Sequence, residues 1–184
     1  MNDSGSSTRR TIMASGAAGL ALGVLNPALG ETTAPKGRKR VLRLAHLTDT
    51  HVQPEKKAGE GLATCLNHVQ NQSDPPAMII FGGDNVMNVD SQEGSERADV
   101  QLALWHDILK KNCSLPHRTV IGNHDVLGMD PVAGKQWAVE AYGLPGRYYD
   151  WVDAGWHFIV LDSTSPNVLR GGEGGYKGKL DDTQ

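Results

Sequence analysis

Aromatic residues are scarce in this chain of 184 residues: they make up 5% of it, and only two are phenylalanine. No stretch therefore resembles the aromatic platform on which proteins stack single-stranded nucleic acid. Neither sign of charge dominates, because 18 Lys and Arg stand against 21 Asp and Glu. A net charge of −3 gives no indication of binding to nucleic acid or to a membrane surface. We expect no nucleic-acid partner.

Cysteine is also rare, with only Cys65 and Cys113 in the chain. Neither has a second cysteine at the short spacing of a zinc site, so we expect no cysteine-based metal cluster. Cys65 stands at helical spacing from Leu62, Leu66 and Val69, and this pattern predicts a cysteine buried in the core. We therefore expect no disulfide between the two.

Long apolar runs are missing as well, and the longest candidate lies near the N-terminus. Arg9 and Arg10 precede a glycine-interrupted apolar run at 14–25, which is too short to span a bilayer as a permanent helix. Small residues at Ala28 and Gly30 then provide a cleavage site. Residues 1–30 resemble a twin-arginine signal peptide, and the alternative is a disordered basic N-terminus. The resemblance implies export by the twin-arginine machinery to the periplasm or beyond, with no stable membrane anchor.

Beyond a linker at 31–40, strand and helix patterns alternate. Strands are predicted at 41–47, 77–81 and 117–121, with helices at 59–72 and 93–112 between them. A third helix is predicted at 135–142, paired strands at 147–151 and 156–161, and a glycine-rich loop at 171–178. Strand–helix alternation predicts an α/β fold with a mostly parallel sheet. His46, in the first strand, is expected to pack in the core.

Each of the first three strands is followed at once by residues typical of metal centres: Asp49 and His51, then Asp84, then Asn123, His124 and Asp125. The carboxyl ends of parallel strands meet at one edge of a sheet, so these side chains are expected to converge. In an extended segment, residues two apart point the same way, which would let Asp49 and His51 bind one ion. The two oxygens of the Asp84 carboxylate can bridge two cations. Mixed carboxylate, imidazole and amide ligands suit Mn, Fe or Zn.

These motifs, Asp-x-His, Gly-Asp and Gly-Asn-His-Asp, resemble in this order the signature of calcineurin-like metallophosphoesterases. The resemblance implies that Asp49 and His51 bind one metal, that Asp84 bridges two, and that Asn123 binds the second. It also implies that His124 donates a proton or stabilises the transition state, and that Asp125 orients it. The run at 47–51 is similar to the cyclic-nucleotide-phosphodiesterase-like branch. The implied fold is a four-layer αββα sandwich.

The family pattern also includes downstream histidines, a lone one and then a Gly-His-x-His, and these do not occur before Gln184. His157 lies inside an apolar run rather than at a strand end and does not replace them. We therefore expect 41–184 to be a C-terminally incomplete domain, the first half of the sandwich. The expected function is hydrolysis of a small-molecule phosphomonoester or phosphodiester by a hydroxide activated by two divalent or trivalent ions. Because its set of metal ligands is incomplete, this chain by itself is expected to be weakly active or inactive. The alternative is a non-catalytic metal-binding remnant or interaction domain.

Overall fold

The computed structural model describes residue 37 and residues 39–89, 95–126, 131–166 and 176–184. The chain divides into a unit Met1–Arg38 and a unit Lys39–Gln184, and the fold described below belongs to the second. The predicted signal peptide at 1–30 lies outside the described residues, as does most of the predicted linker and most of the predicted loop at 171–178.

A parallel three-stranded sheet forms the centre of the domain, as the alternation of strands and helices predicts. The strands β1, β2 and β3 lie in that order, and Phe81 is in register with Leu47 on one side and with Thr119 on the other. All three therefore end at the same edge. Each is shorter than predicted: β1 spans Leu44–Leu47, β2 Met78–Phe81 and β3 His117–Thr119.

In the described part of the chain, three α-helices accompany the sheet: α1 at Ala58–Gln70, α2 at Ser95–Asn112 and α3 at Pro131–Ala141. Helices α1 and α2 pack against each other. Their apolar side chains and those of one sheet face form the core, which includes Leu66, Ile79, Phe81 and Trp105. The helix predicted at 59–72 agrees with α1 to within two residues at each end. The Pro75-Pro76 pair prevents the helix from continuing. Helix α3 begins four residues earlier than predicted.

Two antiparallel pairs follow the helices. Strands β4 (Tyr149–Asp153) and β5 (Trp156–Val160) form a hairpin whose turn has positive φ at Ala154 and Gly155. The Tyr149 hydroxyl donates to the Thr119 carbonyl at 2.7 Å, which ties the hairpin to β3. Strands β6 (Thr164–Pro166) and β7 (Tyr176–Gly178) also pair, so the end of the segment predicted as a loop is a strand.

Two predictions of burial are wrong. Cys65 is exposed, because the buried face of α1 is centred on Leu62 and Leu66 and Cys65 falls at its margin. His46 is exposed too, since it lies on the face of the sheet opposite the one that α1 and α2 cover. Both cysteines are free thiols. Among the described residues, the helices are too short or too polar for any of them to cross a bilayer.

Candidate metal centre and active site

The loops that follow β1 and β2 stay hydrogen-bonded beyond the ends of the strands. The backbone N–H of Asp49 donates to the Gly83 carbonyl, and that of His51 donates to the Asp84 carbonyl, each at 3.0 Å. Val52 and Val86 then form a parallel bridge. This pairing carries the Asp-x-His motif and the Gly-Asp motif to the same place at the edge of the sheet.

The backbone at the predicted ligands is left-handed rather than extended. Asp49, His51 and Asp84 have φ values of 55°, 43° and 51°, a conformation that non-glycine residues rarely adopt. The extended geometry assumed for Asp49 and His51 is therefore wrong, although their side chains still converge. Nε2 of His51 lies 3.8 Å from Oδ1 of Asp49 and 3.9 Å from Oδ2 of Asp84. Backbone strain of this kind is concentrated at functional sites, where the surrounding structure stabilises it.

Glycine permits the close approach of two loops. The second loop follows β2 and carries Asp84, and the third loop follows β3 and carries Asn123 and His124. A Cβ atom on Gly122 would lie 2.1 Å from Oδ1 of Asp84, and one on Gly83 would lie 2.9 Å from Cα of Gly122. Neither distance is possible for a real side chain, and Gly83 also has a φ of 103°. Gly83, just before Asp84, therefore allows this crowded centre, and Gly122 has the same role from the opposite loop.

His124 lies inside the cluster of potential ligands. His51, Asp84 and His124 each offer one ligand atom, and these three atoms lie within 4.8 Å of one another. The imidazole of His124 makes an edge-on contact with that of His51, with 4.8 Å between the ring centroids. Nδ1 of His124 contacts the Met87 carbonyl, which can only accept, so Nδ1 carries a proton. Nε2 is thus the nitrogen available to a ligand or substrate.

Asp125 is fully buried and connects the loops rather than the imidazole of His124. Its carboxylate accepts from the backbone N–H of Asn85 at 3.0 Å, from that of Gly122 at 2.9 Å and from the Tyr142 hydroxyl at 2.8 Å. Burial raises the pKa of Asp125, and these hydrogen bonds oppose the rise. Burial and the neighbouring Asp125 raise the pKa of Tyr142 well above its usual value, so its hydroxyl is the donor. The resemblance implies that Asp125 orients the His124 ring. In the structure the ring contacts the Met87 carbonyl instead.

Asn123 faces a cleft of about 220 Å³ that Asp49 and Asp84 also line. The opposite wall includes Ser163, Thr164 and Tyr176, from β6, β7 and the segment after β5. These three residues lie outside the metal-ligand motifs, and the sequence patterns gave no signal for Thr164 and Tyr176. His157 is remote from this group: it is exposed on β5, and its Nε2 lies 2.7 Å from Oδ2 of Asp150.

The donor set fits a metal ion. The imidazoles of His51 and His124 and the carboxylate of Asp84 approach one another, and among the described residues no Lys or Arg side chain lines the adjoining cleft. Nε2 of His51 faces the carboxylates of Asp49 and Asp84 and is the nitrogen available to an ion. Nδ1 of His51 is buried and has no hydrogen-bond partner among the described residues. Oxygen and nitrogen donors in this mixture suit Mn, Fe or Zn.

A parallel sheet that gathers histidine, aspartate and asparagine at its carboxyl edge, beside a small cleft, defines a candidate metal-binding site in a mixed α/β domain. The sequence model of the calcineurin-like phosphoesterases matches residues 42–177, more than half of the 184 residues. The chain belongs to the calcineurin-like phosphoesterase family. The match does not distinguish the branches of the family. No curated protein matches the chain.

Proposed function

We propose that this chain hydrolyses a small-molecule phosphomonoester or phosphodiester, using two bound metal ions. The observation that supports the proposal best is the convergence of His51, Asp84 and His124, whose ligand atoms lie within 4.8 Å of one another. Asp49 and Asn123 line the same cleft as Asp84. The family to which the chain belongs supports a phosphoester substrate.

In this proposal Asp49 and His51 bind the first ion, Asn123 binds the second, and Asp84 bridges both. The two oxygens of Asp84 suit this role, because Oδ2 faces His51 while Oδ1 lies on the side of the third loop. Bound divalent ions supply a hydroxide at neutral pH and polarise the phosphoryl group. The close contact of Asp84 with Gly122 holds together the loops that would carry the ligands of the two ions.

His124 is the proposed proton donor to the leaving oxygen. Because its Nδ1 already donates to the Met87 carbonyl, a proton for the substrate has to come from Nε2. The ring therefore acts as an imidazolium and becomes neutral when the leaving oxygen departs as an alcohol.

The competing function is a protein that binds metal without catalysing hydrolysis. The test is to remove metal from the full chain, add Mn²⁺, Fe²⁺ or Zn²⁺ in turn, and assay an aryl phosphomonoester and an aryl phosphodiester. Activity that depends on added metal and is lost in Asp84→Ala supports the proposal. Tight metal binding with no hydrolysis of either ester would contradict catalysis and support the metal-binding alternative.

We also propose that the chain is exported by the twin-arginine route to the periplasm or beyond. Arg9 and Arg10, followed by a weakly apolar run and small residues at Ala28 and Gly30, support this. The test fuses residues 1–40 to a reporter protein that is active only after folding in the cytoplasm. Export that is blocked when Arg9 and Arg10 are both changed to Lys is the expected result, whereas unchanged export would contradict it.

A further inference from the structure

Gln101 on α2 is buried, with 1% of its surface exposed, yet its side chain is fully hydrogen-bonded. Its Oε1 accepts from the backbone N–H of Asn88 at 3.0 Å, and its Nε2 donates to the Asn88 carbonyl at 2.9 Å. The same Nε2 donates to the Arg97 carbonyl at 3.2 Å. Burying an amide is costly unless its groups are satisfied, so the whole side chain is committed to holding the backbone at Asn88.

The two peptide groups on either side of Asn88 each join Gln101 to His124. In the first, the Asn88 N–H donates to Gln101, while the Met87 carbonyl accepts from Nδ1 of His124. In the second, the Asn88 carbonyl accepts from Gln101, while the Val89 N–H donates to the His124 carbonyl at 3.0 Å. The N–H and the C=O of a trans peptide point in opposite directions, so each peptide plane is a direct bridge.

We propose that Gln101 is a positioning residue for His124. It fixes the planes of two peptides, one of which holds the proton on Nδ1 of the His124 ring while the other holds the backbone of His124. The inference rests on the proposed function, since the role of His124 as proton donor belongs to it. The partner of one ring nitrogen decides which tautomer an imidazole adopts, and a displacement of about 1 Å at a reacting group is costly.

The substitution Gln101→Met removes both bonds to Asn88 and conserves the length of the side chain. The surrounding segment keeps other anchors, because the Met87 N–H donates to the Val52 carbonyl at 3.0 Å and Val89 is fully buried. We therefore expect the variant to fold with a lower unfolding free energy, and the peptides around Asn88 to rotate more freely.

Gln70 provides a matched control. Its Nε2 donates to the carbonyls of Leu66 and Asn112, and its Oε1 accepts from the Ser114 N–H. Gln70 thus connects the end of α1 to the end of α2 by hydrogen bonds to backbone groups, as Gln101 does for Asn88. It contacts neither His124 nor the cleft. Gln70→Met should lower the unfolding free energy without affecting His124.

The first measurement is the ¹⁵N spectrum of the histidines in the metal-free full chain, with the His124 signal assigned by its loss in His124→Ala. Wild type and Gln70→Met should show the Nδ1–H tautomer at His124, and Gln101→Met should show a mixture of tautomers. An Nε2–H tautomer in the wild type would overturn the proposal, even if Gln101→Met failed to fold. An unchanged spectrum in a folded Gln101→Met would overturn it too.

The second measurement compares the kcat of an alkyl and an aryl phosphate ester with metal present. A mispositioned proton donor should lower the kcat for the alkyl ester about tenfold more than that for the aryl ester, which needs less protonation. A purely structural loss in Gln101→Met would lower both equally and would contradict positioning. A wild type without activity would refute the proposed function, while the spectrum would still decide the role of Gln101.

Discussion

The backbone N–H of His124 donates to Oδ1 of Asp84 at 3.0 Å. The residue proposed to bridge two ions therefore also holds the backbone of the residue proposed to give up a proton. If both proposed roles hold, this contact couples metal binding at Asp84 to the position of His124, because the Asp84 carboxylate holds the loop after β3. The predictions below separate the two roles.

Asp84→Ala should lose at least one metal ion and nearly all activity. The change removes the carboxylate that faces His51 and the acceptor for the His124 N–H. Metal analysis of the purified variant checks this, with Asp107→Ala as the control, because Asp107 is exposed and pairs with Lys111 on α2. Retention of two ions by Asp84→Ala would rule out the bridging role.

His124→Ala should lower kcat by about 10²–10⁴-fold, the usual contribution of a positioned proton donor. The loss should be smaller for aryl than for alkyl esters, because a good leaving group needs less protonation. His157→Ala is the control, since His157 is exposed and contacts Asp150 away from the cleft. Equal losses for both kinds of ester would contradict the role of His124.

Gly122→Ala should weaken metal binding and lower the unfolding free energy. The added Cβ would lie 2.1 Å from Oδ1 of Asp84, so the second and third loops would have to separate. Gly61→Ala is the control, because Gly61 lies in α1 with open space around it, and alanine there should stabilise the helix by up to about 1 kcal/mol. Unchanged metal affinity in Gly122→Ala would refute the close packing of the loops.

Lys135→Met should lower the unfolding free energy by on the order of 3 kcal/mol, because it leaves the buried Asp162 carboxylate without its nearest cation. Nζ of Lys135 lies 2.7 Å from Oδ2 of Asp162, and the two side chains are 6% and 3% exposed. Lys111→Met, which breaks an exposed pair with Asp107, should cost no more than about 1 kcal/mol. Equal costs in chemical denaturation would contradict this difference.

Glu55→Gln should lower thermal stability slightly near neutral pH but not in acid. The hydrogen bonds from Arg97 hold the pKa of Glu55 at about 2, below its usual 4.5. Because the pKa is lower in the folded state, the stabilisation is present above pH 4.5 and is lost as the pH falls toward 2. Thermal unfolding of both proteins across this range checks it, and a constant difference at all pH values would contradict it.

The motifs allowed the convergence of the candidate ligands to be predicted because each motif follows an apolar strand, and parallel strands end together. The left-handed backbone at Asp49 and His51 could not be predicted, since only the pairing with the β2 loop imposes it. Burial of His46 was predicted wrongly because the sequence does not show which face of a sheet the helices cover. The hydrogen bonds of Tyr142 with Asp125 and of Gln101 with Asn88 join residues far apart in sequence, so no local sequence pattern predicts them.

The most direct test is a crystal structure of the full chain soaked with Mn²⁺ and phosphate, with anomalous scattering used to locate the ions. We predict two manganese ions on either side of the Asp84 carboxylate, one bound by Asp49 and His51 and the other by Asn123. We also predict that phosphate lies within hydrogen-bonding distance of Nε2 of His124. Manganese bound elsewhere, for example between His157 and Asp150, with none at Asp84, would contradict the account.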